Sequence, residues 1–364
     1  MGISMNLGNE QQATDINNSI VSQANGNVVN NFNCGISAET AMEICKCVVK
    51  AELAIYTQNA EVEAQKRLSE ISEKTIDRIT SLKEDLLQRF NEPAIQIALN
   101  ETFKSYIASG DEELGDNLID LLIERLNTEE RTTDQALIDE ARSIVPKLSS
   151  ETVAFLTILV FSRLIFPYNR NQYDTLIVKL APFAGKLKDI TSLDIAYLKQ
   201  VGCGTGISAF STTESLESSL LSNYDLFFRK DISLDTFNGI TQKYSQLIGT
   251  TQDVGYIISL FGMEQQSMYF NVTNTQRVTE AYHQAGKNFL LPIFEELKAN
   301  AAPFSKEDVC TYHIRKDARW KYAFDILKKK EVTSFVLNPV GVYIGIRQLT
   351  RICEMPIPMS IFYA

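Results

Sequence analysis

A mainly α fold is predicted: a multi-helix bundle with a long N-terminal helix and short β elements near the two ends. Three observations lead there. Residues 38–91 contain no Gly or Pro and are rich in Ala, Glu, Lys and Leu, a composition that favours uninterrupted helix. Beyond Pro93, apolar positions recur at helical spacings between short polar turns, without the regular strand and turn alternation of a β protein. Short β-branched runs stand out at Ile20-Val21, at Val28-Val29 and again over Val332–Leu337.

The chain has 364 residues, room for about two domains, with 45% hydrophobic residues to build cores. Its 17 Gly and 9 Pro are too few for a fibrous or wholly disordered chain. Asp and Glu number 45 against 35 Lys and Arg, a net charge of -10, which works against broad attraction to nucleic acid or anionic lipid. Nucleic acid is therefore not an expected partner, and a membrane is a disfavoured one. Residues 2–15 carry neither the basic nor the apolar run of a secretory signal. The 6 Cys are scattered rather than framework-like. A cytoplasmic location with reduced thiols is expected. Cys45 and Cys47, two apart on a helix, point about 200° from one another and cannot easily share a metal. No metal and no cofactor are expected.

In chain order, the first expected domain is a β-forming oligomerisation segment over residues 1–36. Residues 16–38 hold seven Asn and no charged side chain. The Asn25-Gly26 pair, flanked by β-branched pairs, is a strong hairpin signal. Uncharged Asn/Gln-rich strands without Pro also stack readily against further copies, because nothing protects their edges. Val21, Gln23, Asn25, Gly26, Asn27, Val28 and Phe32 are the expected oligomerisation residues.

A long-helix bundle follows over 37–145. Ser37 is placed to cap a helix whose apolar stripe includes Ile55, Val62, Leu68, Ile79, Leu86 and Phe90, as one long helix or two in line, ended by Pro93. The stripe is coiled-coil-like but lacks a strict heptad. Helices over 94–109, 114–126 and 134–145 complete this part. A helical core domain is expected over 146–300. It holds an apolar helix at 153–166, too short for an ordinary membrane span. Helices at 173–180, 192–200, 211–221, 234–248 and 276–300 follow, with 256–271 open between helix and strand. The last expected part, 301–364, reads as a helix over 306–329, a strand at 332–337 and a helix over 340–352 opened by Asn338-Pro339. That order makes a small winged-helix-like C-terminal element.

Four constellations bear on chemistry, and none assigns a catalytic residue. Gly202-Cys203-Gly204-Thr205-Gly206 resembles the glycine loop of S-adenosylmethionine methyltransferases, where backbone approaches the cofactor. A helix end followed by a Gly-rich turn explains the same residues, since 193–200 has helical character and Gln200 stands where an acidic residue is usual. Glu112, Asp116, Asp120 and Glu124 recur every four residues, forming an acidic helix face that suits solvent or, with a second helix, a divalent cation. The stretch 310–321 is the densest basic run and holds the only Trp. His313, Arg315, Lys316, Arg319 and Trp320 are the candidate ligand or partner patch. Cys310 and His313 are a nucleophile and a base three residues apart, with no third group to orient them.

Residues 21–28, Val-Ser-Gln-Ala-Asn-Gly-Asn-Val, resemble bacterial amyloid-signalling motifs and the related RIP homotypic interaction motif. The wider layout also resembles a poorly characterised group of bacterial helical proteins associated with phage defence. That likeness is carried by the Gln/Gly/Asn tail, by Gly35-Ile36-Ser37 before the long helix and by Leu337-Asn338-Pro339-Val340-Gly341 near the end. It implies antiviral defence by a self-assembling homo-oligomer that senses or scaffolds without catalysis, with a phage-derived protein or another defence protein as partner. Two other functions stay open: a membrane-disrupting effector of abortive infection, and an S-adenosylmethionine-dependent methyltransferase.

Overall fold

The structure is a computed structural model that describes residues 43, 47, 58–80, 82, 84–128, 131–163, 169–206, 215–354 and 357. The N-terminal hairpin and the oligomerisation residues Val21, Gln23, Asn25, Gly26, Asn27, Val28 and Phe32 lie outside the described residues, as does most of the expected long helix before Gln58. The chain divides into two compact units, Met1–Arg142 and Ser143–Ala364. The described residues are mainly helical, with a few small antiparallel strands.

In the first unit, α1 (Gln58–Ile79) is followed by the short α2 (Glu84–Gln88), α3 (Pro93–Ser109), α4 (Glu112–Asn127) and α5 (Thr133–Ile144), whose end reaches the unit boundary. The Gly- and Pro-free run reads as one long helix or two in line; among the described residues α1 stops at Ile79 and the short α2 follows. The Thr80 hydroxyl donates to the Asp77 carbonyl at 3.0 Å, an alternative to continued helix that hydroxyl side chains offer the backbone. The turn lets Phe90 enter the core with Leu68, Ile71, Ile95, Phe103 and Leu122. α3 ends at Gly110, whose φ of 66° favours glycine. α4 then starts from Asp111, which accepts from the Leu114 amide at 2.9 Å. Gly115 lets the two helices close up: a Cβ there would lie 2.6 Å from the Tyr106 ring.

The second unit is built around α6 (Ser150–Arg163), buried along its length from Thr152 to Ser162. α7 (Arg170–Lys186) and the last helix, α17 (Pro339–Cys353), pack against it. Gly345 makes the α17 contact possible, since a Cβ there would sit 2.5 Å from Val160 Cγ2 and 2.9 Å from the Leu156 carbonyl oxygen. Between them run α8 (Ser192–Gln200), β1 (Gly204–Gly206), α9 (Leu216–Asn223), β2 (Ile232–Ser233), α10 (Leu234–Lys243), α11 (Thr251–Ile258), β3 (Phe261–Glu264), β4 (Ser267–Phe270), α12 (Thr275–Gln284), α13 (Leu291–Asn300), α14 (Lys306–Lys316), α15 (Trp320–Leu327), the one-turn α16 (Lys330–Thr333) and β5 (Phe335–Leu337).

Several elements depart from the sequence expectation. Residues 256–271 resolve into the end of α11 plus the β3–β4 hairpin, which joins β2 in an antiparallel sheet ordered β2-β4-β3. Its inner face builds a second core from Phe237, Phe261, Phe270, Ile293 and Phe294. The helix expected over 276–300 is two: Gly286, at φ 67°, ends the first, and Pro292 lies in the first turn of α13, where its missing N–H costs nothing. The helix expected over 306–329 is also two. Asp317 adopts an extended backbone and its carboxylate accepts from the Arg319 amide at 2.9 Å, which closes α14 and turns the chain into α15. At the C-terminus the helix–strand–helix order forms, but β5 pairs with β1 from far earlier in the chain rather than with a neighbouring wing.

Candidate functional site

The residues that the sequence singled out fall on the end of α14 and the start of α15, and the structure sorts them between core and surface. His313 and Trp320 are fully buried, while Arg315, Lys316 and Arg319 are exposed. The expected patch is thus split between core and surface. On the inner side His313 sits among Tyr173, Phe228, Trp320 and Phe324, with ring centroids 5.1 Å away for Trp320 and 5.3 Å for Phe324. On the outer side Lys316 pairs with Asp174 at 2.6 Å, and Arg319 makes two bonds to Asp317 at 2.9 and 2.7 Å.

Both imidazole nitrogens of His313 are engaged. Nδ1 lies 2.8 Å from the Val309 carbonyl oxygen, and Nε2 lies 2.7 Å from the Tyr173 hydroxyl. A carbonyl can only accept, so Nδ1 carries the proton and Nε2 accepts from Tyr173. Burial pushes the His313 pKa down to about 4 and drives the Tyr173 hydroxyl well above its ordinary range. The unfolded chain protonates this imidazole near 6.5 and the folded chain only at about 4, so the unfolded state binds more protons in between. Stability therefore falls as pH drops through that window, by about 3 kcal/mol for this group.

Around this pair the remaining polar groups are also satisfied. Trp320 Nε1 donates to the Ile177 carbonyl at 2.9 Å, and the Tyr312 hydroxyl donates to Asp174. The Arg170 guanidinium lies over the Tyr269 and Tyr312 rings, 5.2 and 5.5 Å from their centroids. Cys310 does not face His313; its thiol donates to Glu217 at 3.5 Å, and burial together with that carboxylate pushes it up to about 12. A thiol so raised is not a nucleophile near neutral pH. The thiol and the imidazole, three residues apart in sequence, thus have different partners.

The glycine string has a structural occupant. Cys203 is fully buried, with its thiol pushed up to about 12 by burial, and its carbonyl accepts from the Asn338 amide at 3.2 Å. Asn338 caps α17 by accepting from the Gly341 amide at 3.0 Å, while its side-chain amide donates to the Gly202 carbonyl. A Cβ on Gly204 would strike the Phe335 ring at 2.3 Å, and one on Gly341 would lie 1.9 Å from the Cys203 carbonyl oxygen. Gly204 and Gly341 admit close approach between β1, β5 and the start of α17, so the segment is an antiparallel edge rather than a cofactor loop after a parallel strand.

The acidic face of α4 meets cations of α1. Asp116 accepts from Lys74 at 3.4 Å and Asp120 from Arg78 at 3.1 Å, so the four-residue spacing of the acids matches that of the bases. Among the described residues no cluster of three or more His, Cys, Asp or Glu side chains could hold a metal ion.

Two concavities in the second unit were not signalled by the sequence. An open groove of about 500 Å³ runs between α10 and α11, lined by Phe237, Thr241, Ile248, Val254, Ile257 and Ile258. A smaller cavity of about 160 Å³ lies at the C-terminal end of α6, beside Arg163. The groove residues follow the apolar stripes of two amphipathic helices, a pattern that reads as core until the tertiary fold leaves part of it uncovered.

Comparison with known proteins adds a family. A protein-family model described as “:-like” matches residues 35–363. The chain belongs to this family. The match takes in nearly all of the second unit and the first unit from residue 35, leaving the residues before 35 outside it. No curated protein and no solved structure matches the chain.

Proposed function

We propose that the protein is a non-enzymatic, self-assembling sensor or scaffold of bacterial antiviral defence, working as a cytoplasmic homo-oligomer. The observation that carries the non-enzymatic reading is the state of three reactive side chains that the sequence brought forward as candidates. His313 is held neutral with both nitrogens engaged, and Cys203 and Cys310 are pushed up to about 12. Such groups serve as framework, whereas catalytic groups are tuned toward the working pH. The uncharged Asn-rich segment 16–38 supports assembly, with side-chain amides and β-branched residues stacking between copies. The finer architecture belongs to the same proposal: an N-terminal hairpin, a long coiled-coil-like helix leading into α1, and a winged-helix-like end at β5 and α17. The half-exposed Val254 and Ile258 in the α10–α11 groove suit a protein partner, a phage-derived protein or another defence protein.

Neither rival function gains a specific observation. For membrane disruption α6 would have to leave the core of its unit, and no helix among the described residues is long and apolar enough to cross a membrane. For methyl transfer the glycine segment would have to shed its partners Phe335 and Asn338. Light scattering tests the proposal directly. The full chain is expected to run as an oligomer, and a chain lacking residues 1–36 at a lower mass; an unchanged mass overturns assembly through that segment.

A further inference from the structure

Arg163, the last residue of α6, is a partly buried arginine of the second unit with little protein partnership. Arg170 faces Asp231 at 3.7 Å, and Arg229 donates to the Lys298 and Ala301 carbonyls at 2.8 and 2.7 Å. Arg163 makes one hydrogen bond, from Nη2 to the Phe335 carbonyl at 3.5 Å, the outer limit for such a contact. Among the described residues no carboxylate pairs with it. A guanidinium has five N–H donors in a rigid fork, so most of its donor capacity is unspent. Withdrawal from water disfavours its charge and lowers its pKa, with no neighbouring anion to offset that cost.

Arg163 lines the 160 Å³ cavity between α6, α9, α15 and α16. That volume equals about five water molecules at roughly 30 Å³ each, enough for a tetrahedral oxyanion and too small for a nucleotide. Leu159, Leu216, Leu327 and Val332 form its apolar sides, and Ser162, Ser219 and Thr333 its polar ones. The Ser219 hydroxyl donates to the Ser162 carbonyl at 2.8 Å, and the Ser162 hydroxyl donates to the Leu159 carbonyl at 2.7 Å. With their protons committed, both oxygens remain as acceptors. The wall therefore combines an unpaired forked cation with hydroxyl acceptors, which matches an oxyanion that carries a hydroxyl of its own.

We propose that this cavity binds a small oxyanion of the phosphate class, with two oxygens on the Arg163 fork and a protonated oxygen toward the serine side. The bidentate geometry supplies selectivity over monatomic anions. A free phosphate ion and the phosphate of a very small metabolite share this chemistry. The site does not depend on whether the chain assembles.

Calorimetric titration of the full chain with inorganic phosphate tests it, with sodium chloride at matched ionic strength as control. Saturable one-to-one binding of phosphate and none of chloride is expected. Arg163→Gln should weaken binding by about tenfold or more, because hydrogen bonds to a charged partner are lost. Lys243→Gln, on the surface and already paired with Glu296, should leave it unchanged. Absence of saturable phosphate binding to the full chain overturns the proposal, as does equal affinity in Arg163→Gln. If Arg163→Gln fails to fold, arginine Nε–H resonances of the unmutated chain decide. The Arg163 signal must shift with the calorimetric midpoint, and a spectrum in which only other arginines respond overturns the site. A small-metabolite source would show as tighter binding of a short phosphate monoester than of inorganic phosphate.

Discussion

His313 and Arg163 are both nitrogen-bearing side chains drawn into the second unit, and they meet opposite fates. His313 is fully buried, yet both of its ring nitrogens have partners, and it sheds its charge. Arg163 cannot shed its charge near neutral pH and has one long bond to a carbonyl. A motif reading favours the histidine as the functional group, because it lies in an aromatic and basic run. Hydrogen-bond accounting favours the arginine. A satisfied polar group stabilises the fold, whereas a cation beside a cavity with no protein anion keeps donors for a ligand.

This contrast can be broken by substitution. The largest effect is expected on the satisfied side: Trp320→Ala empties a fully buried site that packs on His313 and Phe161 and removes the donor to Ile177. Urea denaturation should show a loss of about 3–5 kcal/mol. A loss below about 1 kcal/mol would mean that the aromatic cluster is not the framework described. On the unsatisfied side the effect should be small and of opposite sign. Arg163→Met, measured without phosphate, should be neutral or stabilising by about 1 kcal/mol, since it removes a poorly partnered charge and keeps the apolar stem. A marked destabilisation would show that the guanidinium is structural after all.

Much of the helical fold was legible because its boundaries are written locally. α8 runs Ser192–Gln200 as expected, closed at its start by a capping box between Thr191 and Asp194. α4 starts from the Asp111 cap, and α17 from Asn338-Pro339. The boundaries that the sequence does not mark depend on side chains that turn back on the backbone, Thr80 after α1 and Asp317 after α14, where the apolar stripe continues across the break. The β1–β5 pairing was not legible, because Gly204 needs Phe335 as its neighbour and nothing local links them. For the candidate site, His313 and Trp320 were visible as residue types but not as core. Arg163 was visible only as a break in an apolar run, since burial and lack of a partner are tertiary properties.

The central claim is that His313, the histidine of the candidate patch, is locked into the core as framework, and its titration tests it most directly. An NMR titration of its imidazole in the folded full chain should show the neutral Nδ1–H form throughout the neutral range, with protonation only at about 4 and accompanied by loss of the fold. A titration near 6.5 with the fold intact would contradict it, placing a free, ionisable histidine where the structure has a sealed one.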